Sequence, residues 1–193
     1  MTAQTISDPV LRIAPLTPET AEPAAAAALE GARQKLGFLP NMYGFMAHAP
    51  ELLTTYLAAY AGFRSGGGFT PAEQETVFLA VSQANGCAYC VAAHSMIAAK
   101  VSKVPEGSIV ALREGTVLPE ARLQALAAFT RTMVRTQGRP SAADIDAFLA
   151  AGFTPRHVFA VILAIAVKVM SNFSNHLTDT PLDAAFAPFA LAD

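Results

Sequence analysis

Helix punctuation constrains this chain more than any other feature. Thr-Pro pairs stand at 17–18, 70–71 and 154–155, and glycines close the stretches that follow, at 37 and 86. A capping residue ahead of proline starts a helix, and glycine ends one. Alanine is abundant between these marks, and β-branched runs of alternating polarity are nearly absent. The spacing predicts helices over 17–37, where Pro23 breaks the pattern near its start, and over 40–50, 51–68, 69–86 and 87–101. After a loop at 102–106 come 107–114, 119–137, 141–152 and 155–177. Thr70, Pro71 and Glu73 form a capping box at the head of 69–86, a structural role for Glu73. The fold class is all-α. No Pro- or Ser-rich linker divides the chain, so one domain is expected over 1–193, the 193 residues sufficing for one full core or at most two small ones.

The net charge is -2 with Lys and Arg scattered, which gives no surface for nucleic acid. Hydrophobic residues make up 53% and charged residues 15%. Such a chain is expected to bury surface against copies of itself, as a homo-oligomer. The most apolar window, 158–170, is shorter than the ~20 residues of a membrane span and contains Lys168, so a buried helix is expected and no membrane partner. No basic start followed by an apolar run marks an export signal, so the reducing cytoplasm is the expected location. There a CxxC is catalytic or metal-binding more often than a structural staple.

The only two cysteines lie in "NGCAYCVAAHS", residues 85–95. On a helix over 87–101, Cys87 and Cys90 share one face with α-carbons roughly 5 Å apart, and His94 falls roughly 20° off the same line. Gly86 precedes them, so the thiols are expected in a first turn whose unpaired N–H groups favour a thiolate. His94 can take or supply a proton. Glu75, in the preceding helix with Phe78, Leu79 and Ser82 on its stripe, is costly to bury without a partner and is the candidate to complete a relay.

Glu75, eleven residues, Cys87-Ala88-Tyr89-Cys90, three residues and His94 together resemble the E-x11-C-x2-C-x3-H signature of the AhpD-like alkylhydroperoxidases, in the carboxymuconolactone decarboxylase superfamily. The motif covers 75–94 within a core of about 50–115. "LGFLPNMYGFMAHAPELL" and "SNFSNHLTDTPLD" are similar to an uncharacterised peroxidase-related branch. The resemblance implies an all-α, AhpD-like helical fold assembled as a dimer, trimer or hexamer. It implies thiol-dependent reduction of hydroperoxides, an antioxidant activity. Cys90 would be the peroxidatic cysteine, Cys87 the resolving one, and Glu75 with His94 the proton relay. The cycle would pass through a sulfenic acid and a redox-active Cys87–Cys90 disulfide, with no other cofactor, and an external lipoyl- or thioredoxin-type dithiol would reduce it. Tyr89 stands where the best-known members carry a second histidine. It can donate a hydrogen bond but is a poor base. The true decarboxylases lack the CxxC, so decarboxylation is not expected.

Other readings compete. The cysteines can be two small core residues. With His94 and Glu75 they can be zinc ligands, although three ligands on one stripe make a poor tetrahedron. The pair can serve as a general disulfide reductase or relay, or as a redox sensor in a non-enzymatic helical assembly. His48 suits a helix end and His157 a structural position. His176, with Asn172 and Asn175, forms a polar face expected at an interface, at a helix end or in the pocket. Phe38, Tyr43, Phe45, Tyr56, Tyr60 and Phe63 recur near helical spacing as core residues, some of which could roof an apolar pocket. "GFTP" occurs at 68–71 and again at 152–155, a possible trace of duplication.

Overall fold

The computed structural model describes residues 9–191. Among them are nine α-helices, a short 3-10 turn over Ala187–Phe189, and no strand. The helices are α1 (Pro23–Leu36), α2 (Asn41–Met46), α3 (Pro50–Gly66), α4 (Pro71–Ala84), α5 (Ala88–Lys100), α6 (Glu106–Glu114), α7 (Ala121–Arg135), α8 (Ala142–Ala150) and α9 (Pro155–Thr178). The all-α expectation holds. One correction concerns the first helix. Residues 17–21 form a turn closed by Ala21 N–H on the Thr17 carbonyl. Pro23 opens α1 rather than breaking it, because its missing N–H costs nothing at a helix start.

The two GFTP sequences open α4 and α9 with the same device. Thr70 accepts from Glu73 N–H while the Glu73 carboxylate accepts from Thr70 N–H at 2.8 Å. At the head of α9, His157 takes the place of that glutamate, its Nδ1 accepting from Thr154 N–H at 3.0 Å. Nε2–H of His157 then donates to the Gly68 carbonyl at 3.2 Å, which ties the two helix starts together. His157 is structural, as expected.

α4 is the central helix. It packs against α5, α6, α7 and α9, and Val77, Phe78, Leu79, Ala80 and Val81 in its middle have no exposed surface. A helix that is apolar all round must lie inside. Two apolar clusters meet along it. The larger gathers Phe63, Phe78, Phe148 and the inner face of α9. The smaller gathers Leu79, Val91, Leu112 and Leu123 between α4, α5, α6 and α7.

α9 is longer than the apolar window suggests. Its 24 residues are long and apolar enough to cross a membrane by length and composition alone. Its inner face packs on α2, α3 and α4. Its outer face exposes Phe159, Ile162, Phe173 and Leu177.

Candidate active site

Ser82, Gly86 and Cys87 set the position of the thiols. α4 ends with Gly86 at φ +68°, in the left-handed region that glycine enters without strain. Cys87 N–H then folds back onto the Ser82 carbonyl at 2.9 Å, closing a helix-end turn. This places Cys87 at the N-cap of α5 with extended backbone, one residue outside the first turn in which both thiols were expected. Cys90 occupies that turn. Both are free thiols, and they are 1% and 2% exposed.

α9 supplies the opposite wall. Asn175 Nδ2 donates to Cys90 Sγ at 3.3 Å and to Cys87 Sγ at 3.7 Å, so one amide spans both sulfurs. Ser171 Oγ lies 3.8 Å from Cys90 Sγ. Asn172 is buried and accepts from Asn85 at 2.9 Å, which fixes the end of α4 against α9. Lys168 is 1% exposed, its ammonium 5.7 Å from the centre of the Phe78 ring. Lys168, Ser171, Asn172 and Asn175 fall at i, i+3, i+4 and i+7, one polar stripe on an apolar helix.

Behind the thiols lies a charged chain. Glu75 is fully buried and accepts from His94 Nδ1 at 2.8 Å. Its second oxygen meets the Arg64 guanidinium from α3 in an ion pair. Arg64 is held over the rings of Tyr60 and Phe78, at 4.8 and 4.9 Å, and donates to the Tyr60 hydroxyl. Burial raises the Glu75 carboxyl, but His94 and Arg64 overcome it and hold it below the usual carboxylate range. Burial and then the Lys168 charge depress His94, against the pull of Glu75. Neutral His94 donates from Nδ1 to a carboxylate that can only accept, which leaves Nε2 as its basic nitrogen.

The two thiols are pushed apart. Burial works against a Cys90 thiolate, but a hydrogen bond from Cys87 and the charge of Lys168 outweigh it and hold Cys90 well below the ordinary thiol range. Cys87 is raised, first by donating to Cys90 and then by burial. The opposed directions favour the thiolate on Cys90 and the proton on Cys87.

The remaining candidates sit further off. The Tyr89 hydroxyl donates to Asp183 of the C-terminal segment, whose carboxylate also accepts from Asn41 N–H at 3.1 Å. The Tyr89 ring packs edge-on against Phe186 at 5.8 Å. Ser82 turns its hydroxyl to the Phe78 carbonyl at 2.7 Å, so its backbone, not its side chain, serves the thiols. His176 is exposed and its ring stacks on Phe173, away from the buried stripe. It lies about 100° around the helix from Asn175 and about 40° from Asn172, and it faces solvent where both asparagines are buried. His48 joins the Ala14 carbonyl at 2.8 Å rather than capping its own helix. Tyr43, Tyr56, Tyr60 and Phe63 form a run of ring contacts that ends on Phe78, which itself packs on His94 at 4.8 Å. Phe38 packs on Phe186, and Phe45 is buried. Among the described residues, no group of three or more His, Cys, Asp or Glu is arranged to hold a metal ion.

Three partners escaped the sequence reading. Arg64 as the Glu75 counter-ion carries no local signal, since it comes from another helix. Asp183 likewise meets Tyr89 only through folding. Lys168 did carry a signal, since a charge in phase with Ser171, Asn172 and Asn175 on so apolar a helix marks an inward polar stripe.

Residues 50–131 match the carboxymuconolactone decarboxylase family. No curated protein matches the sequence. Among solved structures, the chain is similar to an uncharacterised peroxidase-related protein with an alkylhydroperoxidase AhpD core from Ralstonia eutropha JMP134, at 23% identity over 93% of this chain and 96% of that one, with a TM-score of 0.80. It is similar to an uncharacterised peroxidase-related protein from Silicibacter sp. TM1040, at 22% identity over 96% and 97% of the two chains, TM-score 0.74. It is also similar to a variant of the debrominase Bmp8 solved with 2,3,4-tribromopyrrole, at 20% identity over 94% and 97%, TM-score 0.76. The chain thus has the all-helical fold of the AhpD-core structures, and its segment 50–131, which contains both cysteines, is similar to the carboxymuconolactone decarboxylase family.

Proposed function

We propose that this protein is a thiol peroxidase that reduces organic hydroperoxides. The observation that carries the reading is the buried pair of free thiols at the head of α5 with both sulfurs on the Asn175 amide, Cys90 pushed below and Cys87 above the ordinary thiol range. The thiolate attacks the distal peroxide oxygen. An S–O bond forms, the O–O bond breaks, and the alkoxide takes a proton to leave as an alcohol. Cys87 then attacks the Cys90 sulfenic acid, releasing water and forming the disulfide. A lipoyl- or thioredoxin-type dithiol returns the pair to its reduced form in the cytoplasm. Glu75, paired with Arg64, orients His94 so that its basic nitrogen can relay the Cys87 proton to the hydroxide that leaves the Cys90 sulfenic acid. Among the described residues, the buried atoms Asn172 Nδ2 and Asn175 Oδ1 find no hydrogen-bond partner and suit a small polar guest. The nearby rings of Tyr43 and Tyr56 favour a substrate with an apolar body.

The working form in this proposal is a homo-oligomer. Phe159, Ile162, Phe173 and Leu177 line the outer face of α9, an apolar stripe that a second copy would cover.

The test uses reduced protein and a slight excess of cumene hydroperoxide, following free thiols and intact mass. Wild type is expected to lose two thiols and two mass units, Cys87→Ser to stop at a sulfenic acid, and Cys90→Ser to stay inert. A wild type no faster than a small free thiol sinks the reading. The same assay with a brominated pyrrole asks whether this pair also reduces the kind of molecule bound by the debrominase.

A further inference from the structure

The thiolate needs a cation at hand and its leaving alkoxide needs a proton. Tyr89 supplies neither, being neutral, raised further by burial, and turned to Asp183. The titratable groups around Cys90 come from five helices. α2 gives Tyr43, α3 gives Tyr56 and Arg64, α4 gives Glu75, α5 gives Cys87, Tyr89 and His94, and α9 gives Lys168. Arg64 is spent on Glu75, and His94 has committed its N–H to the same carboxylate. Lys168 is the cation left. It is 1% exposed, and among the described residues no ion pair includes it. A lysine is not buried on an apolar helix without an anion to meet it. Ser171, one turn on along the same stripe, has its hydroxyl 3.8 Å from Cys90 Sγ, and the Lys168 ammonium stands 5.7 Å from the centre of the Phe78 ring.

We propose that Lys168 is a catalytic residue of the peroxidase reaction, at once the counter-ion of the Cys90 thiolate and the acid that protonates the departing alkoxide. The assignment rests on the peroxidase reading for its second half only. The cycle balances. Thiolate, ROOH and the Lys168 ammonium give the Cys90 sulfenic acid, ROH and a neutral Lys168 amine. Cys87 thiol and the sulfenic acid give the disulfide and water. An external dithiol, losing two electrons and two protons, restores the Cys87 thiol and the Cys90 thiolate and returns the remaining proton to Lys168. A group that cycles between ammonium and amine suits lysine. Arginine matches it as a cation but cannot release a proton in a protein.

The experiment separates the two halves. In a Cys87→Ser background, the thiolate of Cys90 is titrated by its absorbance near 240 nm, corrected with the Cys87→Ser/Cys90→Ser protein. Single-turnover rates with cumene hydroperoxide and with a peracid are measured beside it. Lys168→Met is expected to lose the thiolate absorbance at neutral pH and to react about 100-fold more slowly, the scale of one general acid. Lys168→Arg is expected to keep the absorbance yet react more slowly with the alkyl hydroperoxide, and much less so with the peracid, whose leaving group needs no proton. Circular dichroism shows that each variant is folded, and Lys168→Arg keeps the test decisive if Lys168→Met is not. A Lys168→Met titration identical to that of Lys168 protein overturns the counter-ion role. Lys168→Arg rates equal to those of Lys168 protein with both substrates overturn the acid role. A Lys168-dependent titration in a protein inert to every peroxide would instead refute the peroxidase reading and leave the counter-ion standing.

Discussion

Arg64→Met puts the buried charge chain at risk in a way that can be calculated. Arg64 pairs its guanidinium with Glu75, a carboxylate with no exposed surface. Removing one partner of a buried ion pair costs about 3–5 kcal/mol, because the other charge stays behind. The Arg64 side chain is 21% exposed, so water reaches part of the pair and the lower end, about 3 kcal/mol, applies. For a chain of this size that is a fall of about 6–12 °C in Tm. Glu75 then has only His94 to turn to. His94, now depressed by burial and by Lys168 with a smaller push from Arg64, is expected to titrate higher in Arg64→Met, because the imidazolium becomes the remaining counter-charge. Thermal unfolding followed by circular dichroism gives the first quantity, and histidine NMR against pH gives the second. The double variant Arg64→Met/Glu75→Gln is expected to recover most of the loss, a coupling of about 2 kcal/mol or more. If Arg64→Met costs under about 1 kcal/mol and Glu75→Gln rescues nothing, then Glu75 is not a locked anion, and the role given to His94 goes with it.

Asn175→Leu removes the donor that spans both sulfurs, and a hydrogen bond to a charged group is worth about 1.5–3 kcal/mol. Its reaction with peroxide, followed by stopped flow, is expected to slow roughly 10- to 100-fold. Stability should follow pH in two arms. His94 lies below its ordinary 6.5 when folded, so its contribution is complete above pH 6.5 and is lost as pH falls through the folded value. Cys90 lies below its ordinary 9.0, so stability also rises with pH up to about 9. Melting curves of His94→Gln and Cys90→Ser should each lack one arm. Phe159→Glu/Phe173→Glu, on the outer face of α9, should lower the mass seen by light scattering without changing helix content, and an unchanged mass would remove α9 from the assembly surface.

The helices were legible because their ends are written in local chemistry. Thr70, Pro71 and Glu73 act on backbone groups within one turn, and the structure shows the same capping box. Pro23 misled because proline both starts and breaks helices, and only packing decides which. At the site, Cys87, Cys90, Glu75 and His94 stood out by spacing, since α4 and α5 are joined by a tight turn that fixes their offset. The turn also explains the one-residue error at Cys87. Gly86 in the left-handed region sends the next residue out of the helix, which no count of residues reveals. Asn175 was seen but grouped with His176, because a periodicity of three or four does not say which side faces inward. Arg64 and Asp183 reach their partners only after the chain has folded.

In the proposed cycle, Lys168 has an energetic consequence for the disulfide itself. Its attraction to the Cys90 thiolate exists only in the reduced protein, since a disulfide carries no charge. Whatever that attraction is worth favours reduction, and each 1.4 kcal/mol raises the two-electron potential by about 30 mV. The couple should therefore be oxidising for a CxxC pair, readily emptied by a modest dithiol. The slope of that potential against pH then counts protons. About 30 mV per pH unit means that Lys168 keeps its charge through oxidation, and about 59 mV means that it leaves with the thiolate.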